Sequence, residues 1–135
     1  MPTVQEIREF TKRKRGETGR LRIDFFGQEK AGVAGACMQV AEVVDQFNGQ
    51  EWRSNKAKGT TGQVFSGHSL GVIPTRGKAG VVVDFTAKEG PIVGQVKNIK
   101  DEAGVRRSLE TLSGENDWKK QERLTAREMR ERYGL

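Results

Sequence analysis

The hydrophobic period of this chain changes twice, and those changes limit the folds open to it. Between Gln50 and Lys100 the spacing of apolar residues shifts toward every second position, in short runs broken by turn residues. Before Gln50, apart from Leu21–Phe26, and after Asp101 they recur every three or four. Period two belongs to strands and period 3.6 to helices, so a β-rich middle flanked by helical segments is expected. Candidate strands are Glu51–Ser54, Gln63–Phe65, Leu70–Ile73, Gly80–Thr86 and Ile92–Ile99. The last two are joined by Ala87-Lys88-Glu89-Gly90-Pro91, a loop of hairpin length.

Thr3-Val4-Gln5-Glu6 has capping-box spacing, and Val4, Ile7 and Phe10 then share a helical face. This helix is expected to fail near Lys14, where four adjacent cations run into Gly16-Glu17-Thr18-Gly19. Leu21, Ile23 and Phe25 alternate with Arg22, Asp24 and Phe26 and read as a strand. A long helix is expected over Lys30–Phe47, with Val33, Cys37, Val40, Val44 and Phe47 as its stripe and Asn48-Gly49 ending it. Val105, Leu109 and Leu112 predict a short helix that docks on the sheet. Glu115–Tyr133 reads as a charged helix with a thin apolar stripe of Trp118, Leu124, Met129 and Tyr133.

The expected fold class is therefore α+β. A mostly antiparallel sheet of about five strands carries the Lys30–Phe47 helix on one face, with short charged helices at both ends. Residues 1–114 form the domain, and residues 115–135 form a peripheral helix suited to a protein partner or to self-association.

Of the 135 residues, 34% are hydrophobic and 31% charged, with a formal net charge of +6. The charge is uneven. Residues 1–22 and 53–100 carry the excess of Lys and Arg, while residues 23–52 are acidic on balance. Such a field concentrates anions if the fold unites its positive segments. Cys37 is the lone cysteine, which removes intrachain disulfides and suits a reducing, cytoplasmic setting. Met1 to Glu6 shows no secretory pattern, and no apolar run is long enough for a membrane span.

Several motifs invite a catalytic reading. Gly67-His68-Ser69-Leu70-Gly71 matches the nucleophile elbow of α/β-hydrolases, but the chain's single histidine adjoins the serine and no helix follows. Gly27–Gly32 and Gly71–Lys78 approach a phosphate loop without its Lys-Ser/Thr pair in place. Asp84 followed by Gln95-Val96-Lys97 resembles the Asp…(Asp/Glu)-x-Lys arrangement of restriction-type nucleases, with Gln95 where an acid is usual. That resemblance implies Mg²⁺ held by Asp84 and a further ligand such as Glu42 or Asp24, with Lys97 beside the attacking water. Leu124–Leu135 resembles the first helix of a helix-turn-helix unit, but no recognition helix follows within the 135 residues.

The basic clusters point to a nucleic-acid partner, DNA or RNA, bound without base reading and without a cofactor or resident metal. The candidate contacts are Lys12, Arg13, Lys14, Arg15, Arg20 and Arg22 around the first strand. Arg53, Lys56, Lys58, Arg76 and Lys78 are expected to project together from two glycine-rich loops. Phe26, Trp52 and Phe65 are candidate stacking rings. The alternative is a protein-interaction or virion-structural role in a phage or mobile-element setting, with Trp118 and Tyr133 as its anchors.

Overall fold

The computed structural model describes residues 1–26, 40–55, 57–58, 64–65, 68–85, 87, 90–122, 130–131 and 134, with side chains in the first helix up to Glu17. It is an α+β fold built on a five-stranded antiparallel sheet. The elements are α1 (Val4–Phe26), α2 (Val40–Gln46), β1 (Gln50–Ser54), β2 (Ala57–Lys58), β3 (Val64–Phe65), β4 (His68–Pro74), β5 (Gly80–Val83), β6 (Ile92–Val96), α3 (Glu102–Ser113) and β7 (Lys119–Lys120). Spatial order across the sheet is β6-β5-β4-β1-β7, and β2 pairs with β3 in a separate ribbon.

Helices cover both sheet faces rather than one. Ile7 of α1 and Val40, Val43 and Val44 of α2 pack on Ile73, Val81, Val83 and Phe85. On the other face Val105 and Leu109 of α3, with Trp118, pack on Trp52, Leu70, Val72, Val82 and Val96. Odd and even positions of β4 and β5 are both apolar, so neither face can be left to water. Gly71 lets α2 approach: a Cβ there would stand 3.0 Å from Val44 and 3.1 Å from Val40.

Two sequence expectations change here. The break at Gly16 and the strand over Leu21–Phe26 do not occur, because α1 is helical throughout Val4–Phe26. The run of cations that should have ended it is compensated. Lys14 sits 3.4 Å from Glu17 and 3.5 Å from Glu42, and Arg13 lies over the Phe10 ring. The capping box is closed, with the Glu6 amide donating to Thr3 Oγ1 at 3.1 Å and the Thr3 amide to Glu6 Oε1 at 3.5 Å. The longest helix is thus the first one. Of the expected Lys30–Phe47 helix the described part is Val40–Gln46, and residues 27–39 lie outside the described residues.

The second change is at the C-terminal end. Residues 115–122 are not helical: Trp118 is buried at 1% exposure, and Lys119–Lys120 add an edge strand to β1. Trp118 Nε1 donates to Ser113 Oγ at 2.7 Å, and its carbonyl accepts from Arg106 Nε at 3.1 Å. Arg130 and Glu131 are helical, while Leu124 to Met129 and Tyr133 lie outside the described residues.

α3 forms as its spacing predicts and is closed at both ends. The Asp101 carboxylate accepts from the Gly104 amide at 3.1 Å, and Gly114 at φ 73° donates its amide to the Glu110 carbonyl at 2.8 Å. Asp101→Ala is expected to cost about 1 kcal/mol through the lost N-cap, read as a lowered thermal midpoint.

Candidate nucleic-acid interface

The β4–β5 turn is fixed by short-range bonds. The Thr75 amide donates to the Ala79 carbonyl and the Ala79 amide to the Arg76 carbonyl, both at 3.0 Å. Gly77 takes the left-handed conformation that the turn needs, at φ 59°. Antiparallel pairing of β5 with β6 then returns the chain to the same end of the sheet, where residues 97–101 turn into α3. The Ile99 amide donates to the Lys78 carbonyl at 2.8 Å and ties the two turns together. A side-chain bond from the Lys100 amide to Asn98 Oδ1, 3.0 Å, holds the second turn.

Arg76 and Lys78 are exposed on the first turn, Lys97 and Lys100 on the second. Among the described residues none of these four side chains has an ion pair or a hydrogen-bond partner. Nearby acids are occupied. Asp101 caps α3, and Glu102 accepts from Lys120 Nζ at 2.8 Å. The Lys120 hydrogen bond and charge hold the Glu102 carboxyl below its ordinary pKa. One end of the sheet therefore presents, among the described residues, four unpartnered cations on two turns joined by the Ile99–Lys78 backbone bond.

The other sequence candidates are distributed differently. Lys12 is exposed on α1. Arg13 and Lys14 are placed over Phe10, and Arg15 Nη1 donates to the Ala87 carbonyl at 2.7 Å, which ties α1 to the β5–β6 loop. Arg20 and Arg22 fall on the helical backbone of α1 rather than beside a strand, with side chains outside the described residues. Arg53 lies on β1, where Nη1 donates to buried Ser69 Oγ at 3.4 Å. Lys56 lies outside the described residues, and Lys58 is in β2.

Lys58 of β2 and the Arg76–Lys78 turn leave the β1–β4 ladder at opposite ends, and residues 59–63 lie outside the described residues. β2 and β3 continue beyond the Ser54↔His68 end of the β1–β4 ladder, whereas Arg76 and Lys78 follow Pro74 at its opposite end. β4 alone puts roughly 20 Å between those ends. Of the candidate rings, Trp52 is a core residue at 2% exposure, and the side chains of Phe26 and Phe65 lie outside the described residues.

The nuclease arrangement does not assemble. Gln95 stands opposite Val81, and Val96, the residue before Lys97, stands opposite Gly80, while Asp84 lies beyond the other end of β5 with its amide on the Pro91 carbonyl at 2.7 Å. Along the strand that separates Asp84 from the Lys97 level by about 17 Å. Asp84 instead meets His68, Oδ2 to Nε2 3.2 Å, and the His68 ring lies edge-on to Trp118. Glu42 is on α2, on the opposite sheet face, paired with Lys14. Asp24's side chain lies outside the described residues. No group of three potential metal ligands occurs among the described residues.

His68–Gly71 of the elbow-like motif lie in β4. Ser69 is fully buried in β4, and its neighbour His68 points to the opposite face. Gly71 serves helix packing rather than a turn.

The sequence reading does not include Lys100 among its candidate contacts and names Lys97 only in the nuclease alternative. The signal that finds them is the β5–β6 hairpin itself, since its register returns residues 97–100 to the level of residues 76–79. No protein-family model, no curated protein and no solved structure matches this chain. Among the described residues no helix is long and apolar enough to cross a membrane.

Proposed function

We propose that this chain binds nucleic acid without catalysing its cleavage, largely independently of sequence, through the end of the sheet that carries Arg76, Lys78, Lys97 and Lys100. The observation that supports it is that those four cations are unpartnered among the described residues, on two turns joined by the Ile99–Lys78 bond. Cations already paired with internal acids have little left for a phosphate, whereas these keep their donors available for one. The surrounding sequence favours the same partner, because no acidic residue occurs between Glu51 and Asp84. Base reading would need side chains fitted to groove edges, and two exposed turns of Lys, Arg and Gly offer charge without such a pattern.

The test is a salt-dependent binding titration on duplex DNA with Arg76, Lys78, Lys97 and Lys100 all changed to glutamine. Affinity is expected to fall on every sequence tried. The slope of log K against log salt is expected to drop by about 0.9 for each phosphate that is no longer neutralised. Unchanged affinity and slope would remove this end of the sheet from the reading. For the protein-interaction alternative, Trp118 is a core residue and not an exposed anchor, while Tyr133 lies outside the described residues.

A further inference from the structure

Beside the cationic end, α3 and the β6–α3 turn enclose a groove of about 510 Å³. That lies inside the roughly 300–1,000 Å³ typical of ligand sites. One wall is Lys97 and Asn98; the other is Arg107, Ser108 and Thr111 of α3. The Arg107 guanidinium is exposed and, like Lys97, has no partner among the described residues.

The polar groups have a consistent sense. Ser108 Oγ donates to the Gly104 carbonyl at 3.1 Å, and Thr111 Oγ1 donates to the Arg107 carbonyl at 3.0 Å, so both hydroxyl protons are held by the helix. Asn98 uses Oδ1 to accept from the Lys100 amide and keeps its NH₂ group available. Asp101, the single acid on the lining, is engaged by the Gly104 amide. The donors left for a ligand are an ammonium, a guanidinium and the side-chain amides of Asn98 and Gln95, drawn from facing walls. Among the described residues no aromatic ring lines the groove.

We propose that this groove seats one strand of phosphodiester backbone, with Arg107 as the anchor against Lys97 and Asn98 and with the bases left outside. The inference rests on the nucleic-acid reading above and adds a seat and a mode to it. A guanidinium can take two phosphate oxygens at once, which fixes a strand in a way that a lone ammonium does not. Without a ring there is no stacking platform, so the contact reads charge and backbone shape only.

The experiment uses the full chain, a labelled single-stranded oligonucleotide of mixed sequence and fluorescence anisotropy at low salt. An unlabelled abasic strand of equal length is expected to compete within about threefold of the normal strand, since a site that stacked bases would lose far more on their removal. Inorganic phosphate at the same total phosphate concentration is expected not to displace the probe. Arg107→Ala should weaken binding about tenfold, and Arg107→Lys should recover only part of the loss because the fork is gone. Lys119→Ala is the charge-matched control on the opposite sheet edge and should leave affinity unchanged. Thermal midpoints of all variants should match the parent, since these side chains are exposed.

An abasic competitor more than about tenfold weaker would mean that bases are held, and would overturn the seat while leaving nucleic-acid binding in place. Displacement by inorganic phosphate would reduce the groove to a simple anion site and overturn the strand seat. An Arg107→Ala variant that behaves like the Lys119 control would also overturn the proposal. Failure of the parent chain to bind any probe would sink this inference and the functional reading together.

Discussion

Trp118→Ala is expected to destabilise the fold by about 3–5 kcal/mol, a large share of the roughly 5–15 kcal/mol typical of a domain. The ring is 1% exposed and packs in one cluster with Trp52, Leu70 and Leu109. Its removal opens a cavity between α3 and the sheet. It also leaves Ser113 Oγ without the indole donor and takes away the edge-on neighbour of His68. The adjacent Asp117 adds to the anchorage, accepting from Ser54 Oγ and, at 2.8 Å, from the Asn55 amide. Truncation after Ser113 should be worse still, because it removes Trp118, Asp117 and the β7 pairing together. Urea unfolding of the full chain and the variant checks this. A variant as stable as the parent would show that the segment after Ser113 is peripheral.

The expected destabilisation reverses what the sequence suggests for the same segment, and the reason is physical. Trp118 is surrounded by Glu115, Asp117, Lys119 and Lys120, so local hydropathy hides a residue that docks alone. A two-residue edge strand such as β7 has no period to detect. The second half of α1 misleads for a related reason. Leu21 and Phe25 alternate with polar residues, but they are also four apart, and a six-residue window cannot separate those patterns. Gly16 and Gly19 cost only about 1 kcal/mol each in a helix, too little to break one already started by a capping box. What was legible had either a long period or a specific end signal. β4 and β5 are apolar runs bounded by turn residues, and α3 carries Val105, Leu109 and Leu112 at i, i+4 and i+7. The candidate interface was half legible. Arg76 and Lys78 stood out by charge, while Lys97, Lys100 and Arg107 become neighbours only after the hairpin pairs and α3 docks.

Gly80 joins the fold to that interface, and Gly80→Ala is the second large effect expected. The residue opens β5, is buried, and pairs with Pro74 on one side and Val96 on the other. A Cβ there would stand 2.8 Å from the Ile73 carbonyl oxygen and 2.6 Å from Ile99 Cγ2. A side chain can rotate away, but a strand carbonyl moves only if the ladder moves, so the substitution should cost about 1–3 kcal/mol as overpacking. The displacement falls on Ile99, whose amide carries the bond to the Lys78 carbonyl. The two cationic turns should therefore lose their fixed spacing, and nucleic-acid affinity should drop even at temperatures where the variant is folded. Gly16→Ala supplies the opposite sign. Gly16 is exposed in α1 with nothing within 4 Å of a Cβ, so alanine should stabilise by about 0.5–1 kcal/mol and leave binding unchanged. If Gly80→Ala kept both its thermal midpoint and its affinity, the close approach of β5 to Ile73 and Ile99 would not be what holds the two turns in register.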